Sequence, residues 1–217
     1  MARMTIDGRI HAETLVSAIG CVAGYSAQGA VFEQMRAKGI PLAPPAINVI
    51  STKNHQTYYF SDQLNLALVS DVNQEMNGIA FWPLVAGGAV ASGADLSNIE
   101  SVESMFSHIA SQIGSDDFRL RVGNCGQPQL PPRELLKIVW PLASKCLDGS
   151  IFDIASKSGE TKVKFWPVIS GYVANNYIQQ VKHVVDPAIA ACICMESAIL
   201  CSKLPAATLN EPLQGAA

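Results

Sequence analysis

Charge is scarce in this chain. Only 15% of its 217 residues are Asp, Glu, Lys or Arg, against about 25% in ordinary soluble domains. The 15 basic and 18 acidic side chains leave a net charge of -3. No cationic surface stands ready to displace counterions from a phosphate backbone, which argues against a nucleic-acid partner. Motifs of cofactor and hydrolase chemistry are missing as well: there is no G-x-G-x-x-G, H-E-x-x-H, G-x-S-x-G, S-x-x-K or C-x-x-C. Gly88 and Gly93 have the spacing of a phosphate-binding loop, but Ala94-Asp95 stands where that loop needs Lys followed by Ser or Thr. Scattered histidines set no zinc spacing. The expectation is a protein without metal or cofactor.

A secretory start is lacking too. Asp7 and Glu13 precede the first apolar run, where a leader would carry positive charge straight into one. The uncharged stretch from Leu15 to Phe32 is interrupted by Ser17, Ser26 and Gln28. It reads as a buried helix rather than a bilayer span; membrane association through it is the less favoured reading. Cysteines stand at positions 21, 125, 146, 192, 194 and 201, and all but Cys125 lie in apolar, helix-patterned segments. They read as small hydrophobes in a reducing cytoplasm, without disulfides.

What is present is apolar and helical. Residues 12–38 predict one long helix, stopped by Gly39 and Pro41. It is apolar or small around nearly its whole circumference, so it must be buried or meet a partner. Gly20 and Gly24, one turn apart, permit close approach by another helix, of this chain or of a second copy. Residues 47–60 predict a β-hairpin with a turn over Lys53–Gln56. Ser61 and Asp62 suit the start of a short helix carrying Leu64, Ala67 and Leu68 on its buried face. Ser97-Asn98-Ile99-Glu100 reads as a capping box. The helix expected after it carries Ile99, Val102, Phe106, Ile109 and Ile113 on one stripe, leaves His108 toward solvent, and ends at Gly114.

A helix opened by Pro131-Pro132 is expected to pack Leu135, Val139, Leu142 and Cys146 inward and to kink or break at Pro141. Residues 150–165 repeat the hairpin pattern. Two helices follow, over about residues 166–185 and then 187–203 with Pro187 at the start. The fold class is therefore α+β, predominantly helical, with two short hairpins or one small antiparallel sheet. Residues 1–204 form one domain, and 205–217 a flexible tail.

Two similarities hint at an internal duplication. Residues 50–60 resemble 154–164, and Phe81-Trp82-Pro83 resembles Phe165-Trp166-Pro167. The offsets differ, so a tandem copy would need an insertion in the first half. The competing explanation is local: Trp before Pro at a helix start packs a large ring against the core.

Candidate site residues are few. Asn176, Gln179, Gln180 and His183 share one helix face and carry no fixed charge, a set suited to a small neutral polar ligand or a subunit contact; an ordinary exposed face is the plainer reading. Tyr58, Tyr59 and Asp62 form a weaker set. Cys125, the one cysteine in a loop, and His183 are the candidate catalytic groups. The resulting expectation is a cytoplasmic homo-oligomer, a dimer, that binds or builds without catalysis. The alternative is a small-molecule enzyme, for instance a hydrolase acting on a neutral polar substrate.

Overall fold

The computed structural model describes residues 5–6, 9–70, 79–115, 118–122, 126–148 and 163–211. Among them the architecture is predominantly helical, with two short antiparallel pairs. Strands β1 (Thr5–Ile6) and β2 (Arg9–Ile10) pair just before α1 (Ala12–Ala37). The predicted hairpin is β3 (Asn48–Ser51) and β4 (Thr57–Phe60), with Val49 opposite Tyr59. The helices that follow are α2 (Asp62–Val69), α3 (Phe81–Ala91), α4 (Val102–Gln112), α5 (Pro132–Leu147), α6 (Trp166–Val181) and α7 (Pro187–Cys201).

Local chemistry sets most boundaries. Gly39 adopts φ +67°, the left-handed turn that ends α1, and Gly114 at φ +81° follows α4. Ser61 caps α2 by accepting from the Gln63 N–H, and Asp186 caps α7 by accepting from Ala188 and Ile189. The α4 cap lies four residues beyond the expected box: Ser101 accepts from the Ser104 N–H, and Leu96–Asn98 is a 3₁₀ turn. Pro141 does not break α5, which runs on through it.

The core is built around α1, which packs on α7, α6 and α5. The two glycines serve contacts within the chain. A Cβ on Gly20 would sit 2.1 Å from the Cys194 carbonyl oxygen, and one on Gly24 would sit 2.0 Å from that of Ala198. Backbone therefore lies directly on backbone, and α7, only one of whose residues is charged, is buried almost throughout. At this seam Ser17 and Ser197 share a hydrogen bond of 2.8 Å, and Gln28 Nε2 donates to the carbonyls of Ser202 and Leu204. The pair Gly20/Gly24 is thus absent from the surface that a second copy would meet.

Helices α3 and α6, which both open on Phe-Trp-Pro, pack side by side. Gly88 lies on the Asn175 backbone and Gly171 on Leu84. The second hairpin of the supposed duplication, residues 150–162, lies outside the described residues, and Val163–Phe165 is a 3₁₀ turn.

One expectation about α5 needs correction. The amino-terminal half of α5 is buried all round, Arg133, Glu134 and Lys137 included, whereas Leu142 is 57% exposed and Cys146 is exposed. The helix enters the core end-on, so depth along its axis decides burial rather than the face a residue occupies. After α7, Ala206–Asn210 forms a 3₁₀ turn, Thr208 is buried, and Glu211 pairs with Arg133.

Candidate functional site

An α-helix that is apolar all round demands cover on every side. Among the described residues the cover of α1 is incomplete. Its half-buried stripe Leu15, Ile19 and Val22 floors an open groove of about 370 Å³. Ala143 and Leu147 of α5 form one wall, and Ile169 and Val173 of α6 the other. Among the described residues no charged side chain lines it, and the hydroxyl of Ser170 already donates to the Trp166 carbonyl at 2.9 Å. Cys146 also lines the groove, as a free and exposed thiol. Tyr172 at 48% and Val173 at 50% exposure extend the apolar surface outward along α6.

The same exposed side of α6 carries Asn176, Gln179 and Gln180 of the predicted polar stripe, whereas α6 ends at Val181 and His183 lies in the turn that follows. Asn176, Gln179, Gln180 and His183 are all exposed. Asn176 Nδ2 donates to the Tyr172 carbonyl of its own helix, and Gln179 Nε2 donates to Asn175 Oδ1. The amide that reaches another element is Asn175, which donates to the Leu84 carbonyl of α3 at 2.8 Å. These amides thus lie open on the outer side of α6, with His183 exposed just past its end.

Tyr58, Tyr59 and Asp62 do not converge. Tyr58 is buried, with its hydroxyl on Gln56 Oε1. Tyr59 packs edge-on against Phe32 and donates its N–H to the Lys203 carbonyl, and Asp62 is exposed at the start of α2. Cys125 lies outside the described residues. Its neighbour Gly126 approaches the His11–Glu13 pair, whose Nε2 and Oε2 are 3.3 Å apart.

Sequence reasoning missed three polar centres. In the first, Glu196 is the only charged residue of α7 and is completely buried. Its carboxyl takes His108 Nδ1 at 2.7 Å on one oxygen and the Arg121 N–H at 2.7 Å on the other. His108 therefore points not to solvent but to α7, and the pair ties α4 and the 118–122 segment to the central helices. Arg121 goes on to Glu100 and Ser104. Burial raises the Glu196 pKa, opposed by the Arg121 N–H, by His108 and by the Arg121 charge. Burial likewise raises the Cys192 thiol beside it, so it is no activated nucleophile.

The second centre is Lys203, 2% exposed. Its ammonium donates to Asn65 Oδ1 at 2.9 Å and lies over the rings of Phe60 and Phe106. Burial lowers its pKa to about 8. The third is the cluster of Arg133, Glu134, Lys137 and Glu211, where α5 meets the 206–211 turn. For Glu196 a signal existed: one charge inside a long apolar helix pattern marks a paired group, because an unpaired charge is not buried.

Among the described residues no three His, Cys, Asp or Glu side chains converge as metal ligands would. Helix α1 is long and apolar enough to cross a membrane, and 61% of its most apolar window is buried within the fold. No protein-family model, no curated protein and no solved structure matches this chain.

Proposed function

We propose that this chain is a cytoplasmic, homo-oligomeric binding or structural protein without catalytic activity, and that it works through the outer face formed by α1, α5 and α6. The observation that carries this reading is the uncharged groove on Leu15, Ile19 and Val22, continued by exposed Leu142, Ile169, Tyr172 and Val173. Contiguous apolar surface of this kind marks interaction sites. The uncharged amides Asn176 and Gln180 and the imidazole of His183 continue the same face, as a polar rim continues an apolar interface centre. A small neutral ligand seated in the groove is compatible with the same role.

The test is sedimentation velocity of the full chain at micromolar concentration, wild type beside Val173→Lys. Position 173 is half-exposed, so the lysine is tolerated by the fold but not by an apolar contact. The expected result is a dimer that becomes a monomer in the variant. A wild-type chain that sediments as a folded 23.1 kDa monomer overturns the proposal.

The enzymatic alternative has one observation in its favour. A buried carboxylate orienting a histidine is the arrangement that prepares a general base, and His108–Glu196 has it.

A further inference from the structure

We propose that Arg133 is the centre of a binding site for a small oxyanion, a phosphate or carboxylate group, and that Glu211 fills this site from within the chain. The argument is independent of the groove. Arg133 is the second residue of α5 and is 9% exposed. A guanidinium has five N–H donors in a rigid fork that matches two oxygens side by side. Here the fork is not used. Both carboxylate oxygens of Glu211 sit on the single nitrogen Nη2, at 2.9 and 2.7 Å. Nε and Nη1 are buried and have no hydrogen-bond partner among the described residues. Buried donors are rarely left idle, and a ligand or ion is a standard reason when they are.

The surroundings favour an anion. Arg133 and Lys137 contribute two positive charges to the buried half of α5, and Glu134, on Lys137 Nζ at 2.8 Å, compensates one of them. The helix amino terminus adds its own positive end, and Pro131 at the cap offers no side-chain acceptor. Arg133 is met by Glu211, which comes from a separate segment and keeps 40% of its side chain in water. Lys137 Nζ is 3.8 Å from the same Glu211 oxygen, so a group replacing this carboxylate would meet both cations. Burial raises the pKa of the Tyr58 phenol, and the charge of Arg133 together with a hydrogen bond from its guanidinium opposes that rise, so Tyr58 is a further polar neighbour of the site. A half-exposed acid held through one nitrogen is a replaceable occupant. A tetrahedral oxyanion offers more acceptors than a carboxylate and so suits the idle donors better.

The test uses the full-length chain and two probes, inorganic phosphate and acetate, each titrated against chloride at constant ionic strength. Glu211→Gln removes the internal occupant while keeping its shape. The expected result is calorimetric phosphate binding at least tenfold tighter in Glu211→Gln than in wild type, with a matching rise in Tm. Arg133→Lys in the Glu211→Gln background keeps the charge but loses the fork, and should weaken that binding at least fivefold. Acetate acting as well as phosphate assigns the site to carboxylates, and phosphate acting alone assigns it to phosphate groups. If Glu211→Gln loses stability and neither probe restores Tm or gives heat beyond chloride, the pair is a structural salt bridge and the proposal is overturned. Binding that is unchanged by Arg133→Lys overturns it equally.

Discussion

Replacing Lys203 by methionine should make this protein more stable. A lysine ammonium is strongly hydrated, and in the fold it gives up nearly all of that water for one hydrogen bond to Asn65 and the faces of two phenyl rings. Lowering its pKa from 10.5 to about 8 amounts to about 3 kcal/mol against the charged form at neutral pH, at about 1.36 kcal/mol per pH unit. Methionine keeps the length and flexibility of the chain and removes the charge. The variant loses the Asn65 bond, which water can replace because Asn65 is half-exposed. It also loses ring contacts that offset about 1 kcal/mol. The net expectation is a gain of about 1–2 kcal/mol at pH 7.

The sign of the pH dependence follows from linkage. Between pH 8 and 10.5 the unfolded lysine keeps its proton while the folded one releases it, so the Lys203 contribution to stability rises with pH across that window. The advantage of Lys203→Met should therefore be full below pH 8 and absent above 10.5. Taking the difference between the two chains cancels the thiols and phenols that titrate in the same range. Urea unfolding of both proteins at several pH values measures it. An advantage that stays constant from pH 7 to pH 11, or a variant less stable than wild type at pH 7, would refute the reasoning.

Three further outcomes follow from other contacts. Glu196→Leu leaves the Arg121 N–H and His108 unpaired in the core and should cost about 3 kcal/mol or more; Glu196→Gln, which can accept from Arg121 and donate to His108, should cost about 1 kcal/mol. Because burial raises the Glu196 pKa, the Gln variant should gain on wild type as pH rises above about 4.3, and chemical denaturation at pH 4 and pH 8 checks both statements. Gly24→Ala drives a Cβ against the Ala198 carbonyl and should destabilise by more than about 2 kcal/mol despite the better helix propensity; Gly29→Ala, whose Cβ meets only Val163 Cγ1 at 3.5 Å, should stabilise by about 0.5–1 kcal/mol, and equal Tm changes of one sign in the two variants would contradict the packing. Peptide mapping after brief treatment of the native chain with a maleimide should find Cys146 modified and Cys21, Cys192, Cys194 and Cys201 intact, whereas labelling of Cys201 at the rate of Cys146 would contradict the burial.

How much of this was legible in the residues varies with the range of the interaction. Periodicity and capping act within a few positions, so α1, the β3–β4 hairpin, the cap of α2 at Ser61 and the Phe-Trp-Pro starts of α3 and α6 can all be read from local pattern. The Ser97–Glu100 box misled because two serines compete: Ser101 bonds the helix N–H instead, and a short 3₁₀ turn takes the earlier residues. Cys146 and Leu142 continue the apolar stripe of α5, yet they lie beyond the depth to which that helix penetrates.

By itself the sequence determined that the chain is mainly helical, that α1 has no polar side to show to water, and that Gly20 and Gly24 invite a helix against them. Only the tertiary structure decided which helix that is, because a glycine notch specifies clearance and not its occupant. The same holds for the buried charges. Glu196, Arg133 and Lys203 take partners from segments between 75 and 138 positions away. No local period encodes such pairings; they exist because burial of a charge is tolerated only where the fold delivers an opposite or polar group to it.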